Sequence, residues 1–270
     1  METLSELRSA EDKEPQSKLS FWSERATIGK NAGTNDFLLK GLEIELLMGR
    51  IAEGTSVLDV GSGNGLTLVS LARHKNCMGL GIDFSEEMIR EAKRNVLEHH
   101  LEKSLSFCVG RAERLPGDLG LFDYVLTERC LINLDNEQTQ HDAFVELMKH
   151  VKPGGRYLMI ESFIQGLDRI NRLRISLGLA RIDPPWHNLF LDEESVHRWE
   201  TNEFCLEEIY PFSSTYYFLS RVVYAKIAQD RGEALRYDSE INLVAAKLPP
   251  IGDFGPTRLW QWRRMGIKQP

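Results

Sequence analysis

Val57-Leu58-Asp59-Val60-Gly61-Ser62-Gly63-Asn64-Gly65-Leu66 sets an apolar strand, an acid and three alternate glycines directly ahead of a helix-forming run. Without a Cβ, glycine lets backbone N–H groups come close to a ligand, and a strand, glycine turn and helix in this order form a cofactor-binding turn. A dinucleotide turn reads G-x-G-x-x-G, yet Leu66 stands where its third glycine belongs, and a pyrophosphate has no use for Asp59. A sulfonium amino acid carries an ammonium, which gives Asp59 a partner. The next strand ends in Gly81-Ile82-Asp83. That puts an acid about 20 residues past the turn, where it accepts the ribose hydroxyls in a doubly wound fold, with Phe84 flanking the adenine.

Working outward, short apolar runs alternate with longer amphipathic ones from about residue 55 to 163, the pattern of βαβ units and a parallel sheet. Strands are expected at Ser56–Val60, Gly79–Ile82, Ser104–Val109, Tyr124–Thr127, Arg156–Glu161, Cys205–Ile209 and Arg258–Arg263. Helical spacing marks Asp36–Met48, Leu66–Arg73, Glu86–His99 and Gln138–His150, the last ended by Lys152-Pro153-Gly154-Gly155. The expected fold is α/β: a doubly wound, seven-stranded, mainly parallel sheet with one antiparallel strand near an edge and helical insertions. Residues 1–18 are polar and read as a frayed tail. Residues 19–270 read as a single domain with insertions at about 164–191 and 213–255.

The chain resembles the class I S-adenosylmethionine (SAM) dependent methyltransferases. V-L-D-V-G-S-G-N-G (57–65), G-I-D-F-S-E-E-M-I (81–89), V-G-R-A-E-R-L-P (109–116), F-D-Y-V-L-T-E-R (122–129) and L-M-K-H-V-K-P-G-G-R-Y-L (147–158) follow that family's order and spacing. The resemblance implies SAM as cofactor. It implies Asp59, Gly61, Ser62 and Gly63 around the methionine moiety, Asp83 on the ribose, Phe84, Arg111, Ala112 and Glu113 at the adenine, and Thr127 near the sulfonium. Trp22 and Arg25 match a leading segment that folds over the cofactor in similar proteins. Arg111 departs from the pattern, since relatives place an acid there to accept from the adenine amino group, and a guanidinium has no acceptor.

Ligands of open α/β sheets bind beyond the carboxyl ends of the strands, so the acceptor side falls to Glu128 and Arg129, Glu161 and the loop Pro185-Trp186-His187-Asn188, with Tyr216 from the second insertion. His187 is the first choice of general base and Glu161 the second, with Glu128, Arg129, Trp186, Asn188 and Tyr216 binding the acceptor. Asp183-Pro184-Pro185-Trp186 resembles the amine-holding motif of adenine-N6 methyltransferases, but there it ends the fourth strand and here it follows the fifth. A net charge of −7 and a pI near 5.6 also weigh against a nucleic-acid partner. Apolar stretches such as Tyr157-Leu158-Met159-Ile160 fall far short of the roughly 20 residues of a membrane span. Four scattered cysteines suggest neither zinc nor disulfides. The expectation is a cytoplasmic, metal-free monomer or homodimer that O-methylates a small polar molecule such as a sugar. N-methylation of a small amine, nucleic-acid methylation and a silent SAM-binding partner protein stand as alternatives.

Overall fold

The computed structural model describes residues 17–29, 32–117 and 119–266. Most of the expected tail, residues 1–16, lies outside these. Ser17 and Lys18, counted with the tail, instead open a helix: the Ser17 side chain accepts from Ser20 N and caps α1 (Lys18–Ala26). Asp36 likewise caps α2 (Phe37–Arg50) by accepting from Leu39 N.

Seven strands follow: β1 (Ser56–Val60), β2 (Met78–Asp83), β3 (Leu105–Val109), β4 (Phe122–Glu128), β5 (Val151–Ser162), β6 (Phe204–Tyr210) and β7 (Thr257–Arg264). They form one sheet in the order β3-β2-β1-β4-β5-β7-β6. Pairings among β1 to β5 are parallel, and β7 runs antiparallel to both β5 and β6. The expected mainly parallel sheet with one reversed strand near an edge is what forms. Helices α3 (Leu66–Lys75), α4 (Glu86–Glu98) and α5 (Glu137–Lys149) make the crossovers. Helix α5 stops at Lys149, before Lys152-Pro153-Gly154-Gly155, which lies within the start of β5 where the register with β4 shifts. That stretch therefore shapes a strand rather than ending the helix.

Alternate residues of each strand feed opposite faces. Val57, Leu126, Leu158 and Ile160 join Leu47, Leu68 and Ile89 on one side of the sheet, whereas Leu58, Val125, Tyr157 and Met159 join Phe144 and Leu147 on the other. Trp260 and Trp262 belong to the second face. Both are fully buried, and Trp260 stacks on Phe163 with ring centres 4.9 Å apart. These aromatics are core. Residues 164–191 contribute α6 (Ile164–Ser176) and an irregular segment. After α7 (Glu193–His197), residues 213–255 contribute α8 (Ser214–Phe218), a π-helical turn (Leu219–Tyr224), α9 (Ala225–Arg231) and α10 (Glu240–Ala245). The two insertions are joined where Arg174 of α6 donates to the carbonyl of Arg221. Among the described residues, no helix is long and apolar enough to cross a membrane, and no group of three His, Cys, Asp or Glu is placed to hold a metal.

Removing the Trp260 indole leaves a large hole between two packed rings. Trp260→Ala should cost roughly 3–5 kcal/mol, read as a lower urea midpoint with an unchanged denaturant slope.

Candidate active site

The strand order reverses between β1 and β4, and at their carboxyl ends lies a cavity of about 870 Å³. Small-molecule sites span roughly 300–1,000 Å³, so this one has room for a nucleoside-sized cofactor beside a second molecule.

The glycine turn forms one end. Gly61 has φ 76°, and a Cβ there would sit 2.6 Å from Cys130 Sγ, so this position has no room for a side chain. Gly63, at φ 52°, faces open space. Its N–H donates to Asp83 Oδ2 at 2.9 Å, while Ser85 N donates to Asp83 Oδ1 at 2.9 Å. Asp83 thus lies on the wall with both oxygens oriented by backbone N–H groups. Burial, only partly offset by these bonds, raises its pKa to about 6. Ser62, Phe84, Met88, Ala112 and Glu113 continue the wall. Arg111 also lines the cavity; its Nε donates to Glu113 Oε1 at 2.6 Å and its guanidinium is largely exposed.

Asp59 is set behind the wall, not on it. It is 1% exposed, its Oδ1 has no hydrogen-bond partner, and burial followed by the nearby Glu128 raises its pKa well above the usual range. A cation in the cavity would favour its ionised form. The orphaned Asp59 oxygen, the unpartnered Ser62 Oγ, the space before Gly63 and the oriented Asp83 fit a cofactor that carries an ammonium, a sulfonium and a ribose. That describes SAM.

Helix α1 covers this end. Trp22 Nε1 donates to Asn133 Oδ1 at 3.3 Å, Lys18 Nζ donates to the Asn133 carbonyl at 2.8 Å, and Asn188 Nδ2 donates to Asn133 Oδ1 at 3.1 Å. Arg25 Nε donates to the Ala32 carbonyl at 2.7 Å. Trp22, Arg25, Trp186, His187 and Asn188 all line the cavity. The His187 ring stacks on Phe21 with centres 4.3 Å apart, and the edges of Trp22 and Trp186 pack against it. Its Nδ1 is buried without a partner. Burial first, then Lys18 and Arg25, lower its pKa below the ordinary 6.5, so the imidazole is neutral at neutral pH.

Three expected site residues point elsewhere. Glu161 is fully buried and accepts from the N–H groups of Cys130 and Leu131 at 2.9 Å and of Ile132 at 3.4 Å. It caps the 3-10 turn Leu131–Asn133 and is not on the cavity wall, so it has no access to an acceptor proton. The Thr127 hydroxyl is likewise buried, bonded to Tyr157 Oη at 2.8 Å, away from the sulfonium position expected for it. Tyr216 is buried with its hydroxyl on Asp36 Oδ1 at 2.6 Å, and the next residue, Tyr217, lines the cavity in its place. Glu128 and Arg129 do line the cavity, each already paired: Glu128 Oε2 accepts from Lys40 Nζ at 2.6 Å, and Arg129 Nε lies 3.1 Å from Glu43 Oε1. Lys40, Asp36, Asn133 and Arg221 also reach the wall and were not foreseen. The first two belong to a helix start whose charges, in sequence, look like any solvated face.

Residues 57–155 match the family described as a methyltransferase domain. Fold and turn agree with that match: the matched residues carry the glycine turn and stand in a sheet of Rossmann-like strand order. Over 112 residues the chain is 31% identical to the ubiquinone/menaquinone biosynthesis C-methyltransferase UbiE of Rickettsia bellii, covering 40% of this chain and 44% of that protein. Over 111 residues it is 34% identical to the demethylmenaquinone methyltransferase of Lactococcus lactis, covering 40% and 42%. The chain thus spans less than half the length of these curated relatives. The crystal structure of geranyl diphosphate C-methyltransferase from Streptomyces coelicolor, in complex with magnesium, geranyl diphosphate and S-adenosyl-L-homocysteine, superposes with a TM-score of 0.56 at 16% identity, over 84% of this chain and 80% of that one.

Glu161, raised to about 7 by burial, binds its proton more tightly folded than unfolded. Its contribution to stability is therefore complete below about pH 4 and is lost as pH rises through about 7, a change on the order of 3 kcal/mol. Glu161→Gln keeps an oxygen for the N–H groups but cannot ionise. Urea denaturation at pH 5 and pH 8 should show a smaller fall in stability for the variant than for the parent, and equal falls would rule out this carboxylate as the cause.

Proposed function

We propose that the chain is a SAM-dependent methyltransferase that methylates a hydroxyl on a small, largely apolar acceptor, with His187 taking the hydroxyl proton. The observation that carries this reading is His187 itself: a neutral imidazole on the cavity wall, held by aromatic rings and bonded to none of the described residues. Bound SAM supplies an electrophilic methyl. What the protein must add is alignment of the acceptor and removal of its proton. The insertion side offers Leu167, Ile170, Ile182, Trp186 and Phe190 beside Asp183 and Asn188, so most of its surface suits an apolar body. These walls favour an aromatic or otherwise planar scaffold over the sugar first expected. An amine acceptor is less well served, because both carboxylates that would hold it, Glu128 and Glu161, are committed.

C-methylation is the second reading. The relatives in Rickettsia and Lactococcus are named for quinone biosynthesis, the former as a C-methyltransferase. A phenol deprotonated by His187 is nucleophilic at ring carbon as well as at oxygen, so one arrangement serves either outcome, depending on which atom faces the methyl.

Calorimetry with SAM and transfer of labelled methyl to a panel of phenols, sugars and amines test the reading. His187→Ala should lower kcat by roughly 100-fold or more while SAM affinity stays within about twofold, and parental kcat should rise with a midpoint below pH 6.5, where the imidazole loses its proton. Undiminished turnover would remove His187 from the reaction. Asp83→Ala should instead weaken SAM binding by roughly 10- to 100-fold, the worth of charge-assisted hydrogen bonds to a ribose.

A further inference from the structure

Two guanidiniums line the acceptor end of the cavity, each backed by one buried carboxylate. Arg129 follows β4 with φ 55°, a left-handed conformation that costs energy for a non-glycine residue. Its Nη2 lies 3.3 Å from Glu43 Oε2 and its Nε 3.1 Å from Glu43 Oε1, the latter without hydrogen-bond alignment, and Glu43 is fully buried. Arg221 sits on the π-helical turn, a rare geometry that concentrates at functional sites. Its Nη2 donates to Asp36 Oδ2 at 2.6 Å, and its guanidinium lies 5.6 Å from the ring centre of Tyr217 and 5.0 Å from that of Tyr237. Tyr217 feels the positive charge of both arginines, and its hydroxyl pairs with Thr257 Oγ1 at 3.0 Å. Arg129, Arg221, Tyr217 and Tyr237 all face the cavity.

A guanidinium has five N–H donors in a fixed fork, and one carboxylate occupies at most a single edge of it. Glu43 holds Arg129, Asp36 and the Ser220 hydroxyl hold Arg221, and each guanidinium still has donors left over. Polar side chains such as Ser162, Asp183 and Thr257 share this wall with aliphatic and aromatic ones; donors left over on two guanidiniums can receive an anion, and the tyrosine rings beside them suit a flat apolar body.

We propose that Arg129 and Arg221 form an anion subsite, and that the methyl acceptor is a planar, apolar molecule carrying a carboxylate remote from the methylated atom. The acceptor role rests on the methyltransferase reading above, whereas the subsite itself can be read by binding alone.

Calorimetry on the full chain, with and without saturating S-adenosylhomocysteine, compares 3- and 4-hydroxybenzoate, 3,4-dihydroxybenzoate and 4-hydroxycinnamate with their carboxamides. At least one carboxylate should bind roughly tenfold more tightly than its amide, as a charge-assisted pair provides. That preference should largely vanish in Arg129→Gln and Arg221→Gln and partly return in Arg221→Lys, which also serves if a glutamine variant does not fold. No preference, or no binding by any carboxylate, overturns the proposal. So does a loss of S-adenosylhomocysteine affinity in the variants with 5′-methylthioadenosine affinity intact, since the arginines would then hold the cofactor's own carboxylate. If the parent binds the carboxylates but not S-adenosylhomocysteine, the subsite stands and the methyltransferase reading falls.

Discussion

A single buried carboxylate gathers the parts of this site. Glu161, near the end of β5, accepts from three successive N–H groups after β4 and so fixes a turn that the sheet alone would leave loose. Arg129 enters that turn, Cys130 fills the space before Gly61, and Asn133 leaves it to hold Lys18 and Trp22 of α1 and Asn188 of the first insertion. The glycine turn, the helix over the cofactor end and the histidine loop are thus positioned from one place. Burying a carboxyl without such donors costs several kcal/mol. Here those three bonds and one from the Thr127 hydroxyl hold its pKa near 7, lower than burial alone would set it, so it serves as an acceptor in either protonation state.

Behind the glycine turn, charge follows a related logic. Glu43, Asp59 and Glu128 are gathered around Lys40 and Arg129, three acids to two bases. Asp59 is the member left without a partner, and its pKa rises accordingly. A cationic cofactor restores the balance through the low-dielectric wall, and its demethylated product, which has lost the sulfonium charge, does so less well. The same electrostatics that draws in a sulfonium therefore weakens the hold on the thioether left behind, a bias toward product release that needs no moving part.

How much of this was legible depended on whether local pattern or tertiary parity decided a residue's role. The strands and the glycine turn were legible because apolar runs of strand length and glycines at a strand end are dictated locally. Asp83 was legible for the same reason. Glu161 was misread because every strand end points toward the ligand face, but alternate residues leave it on opposite sides; Glu161 follows Tyr157 and Met159 in parity, into the layer beneath the turn. Tyr216 and Tyr217 differ by one residue of helix, about 100° of rotation, which sequence cannot phase without knowing where the helix packs. Lys40 and Glu43 were missed because a charged helix face is normally solvated, and only the approach of β4 shows that this one is not.

The acceptor lies beyond what the common fold encodes. The sheet and its turn serve a cofactor whose shape is constant, so their sequence is constrained by that shape. On the proposed reading the second molecule would meet α6, the proline loop and the π-helical turn, all of which line the cavity and none of which the sheet specifies. Their coupling runs through Asp36, which caps α2, accepts from Tyr216 and pairs with Arg221. Because α2 also carries Lys40 and Glu43, one short helix transmits the position of the insertion to the charge cluster behind the cofactor. Arg221, Asp36, Lys40 and Glu43 thus form one connected set of contacts from the π-helical turn to the groups around Asp59.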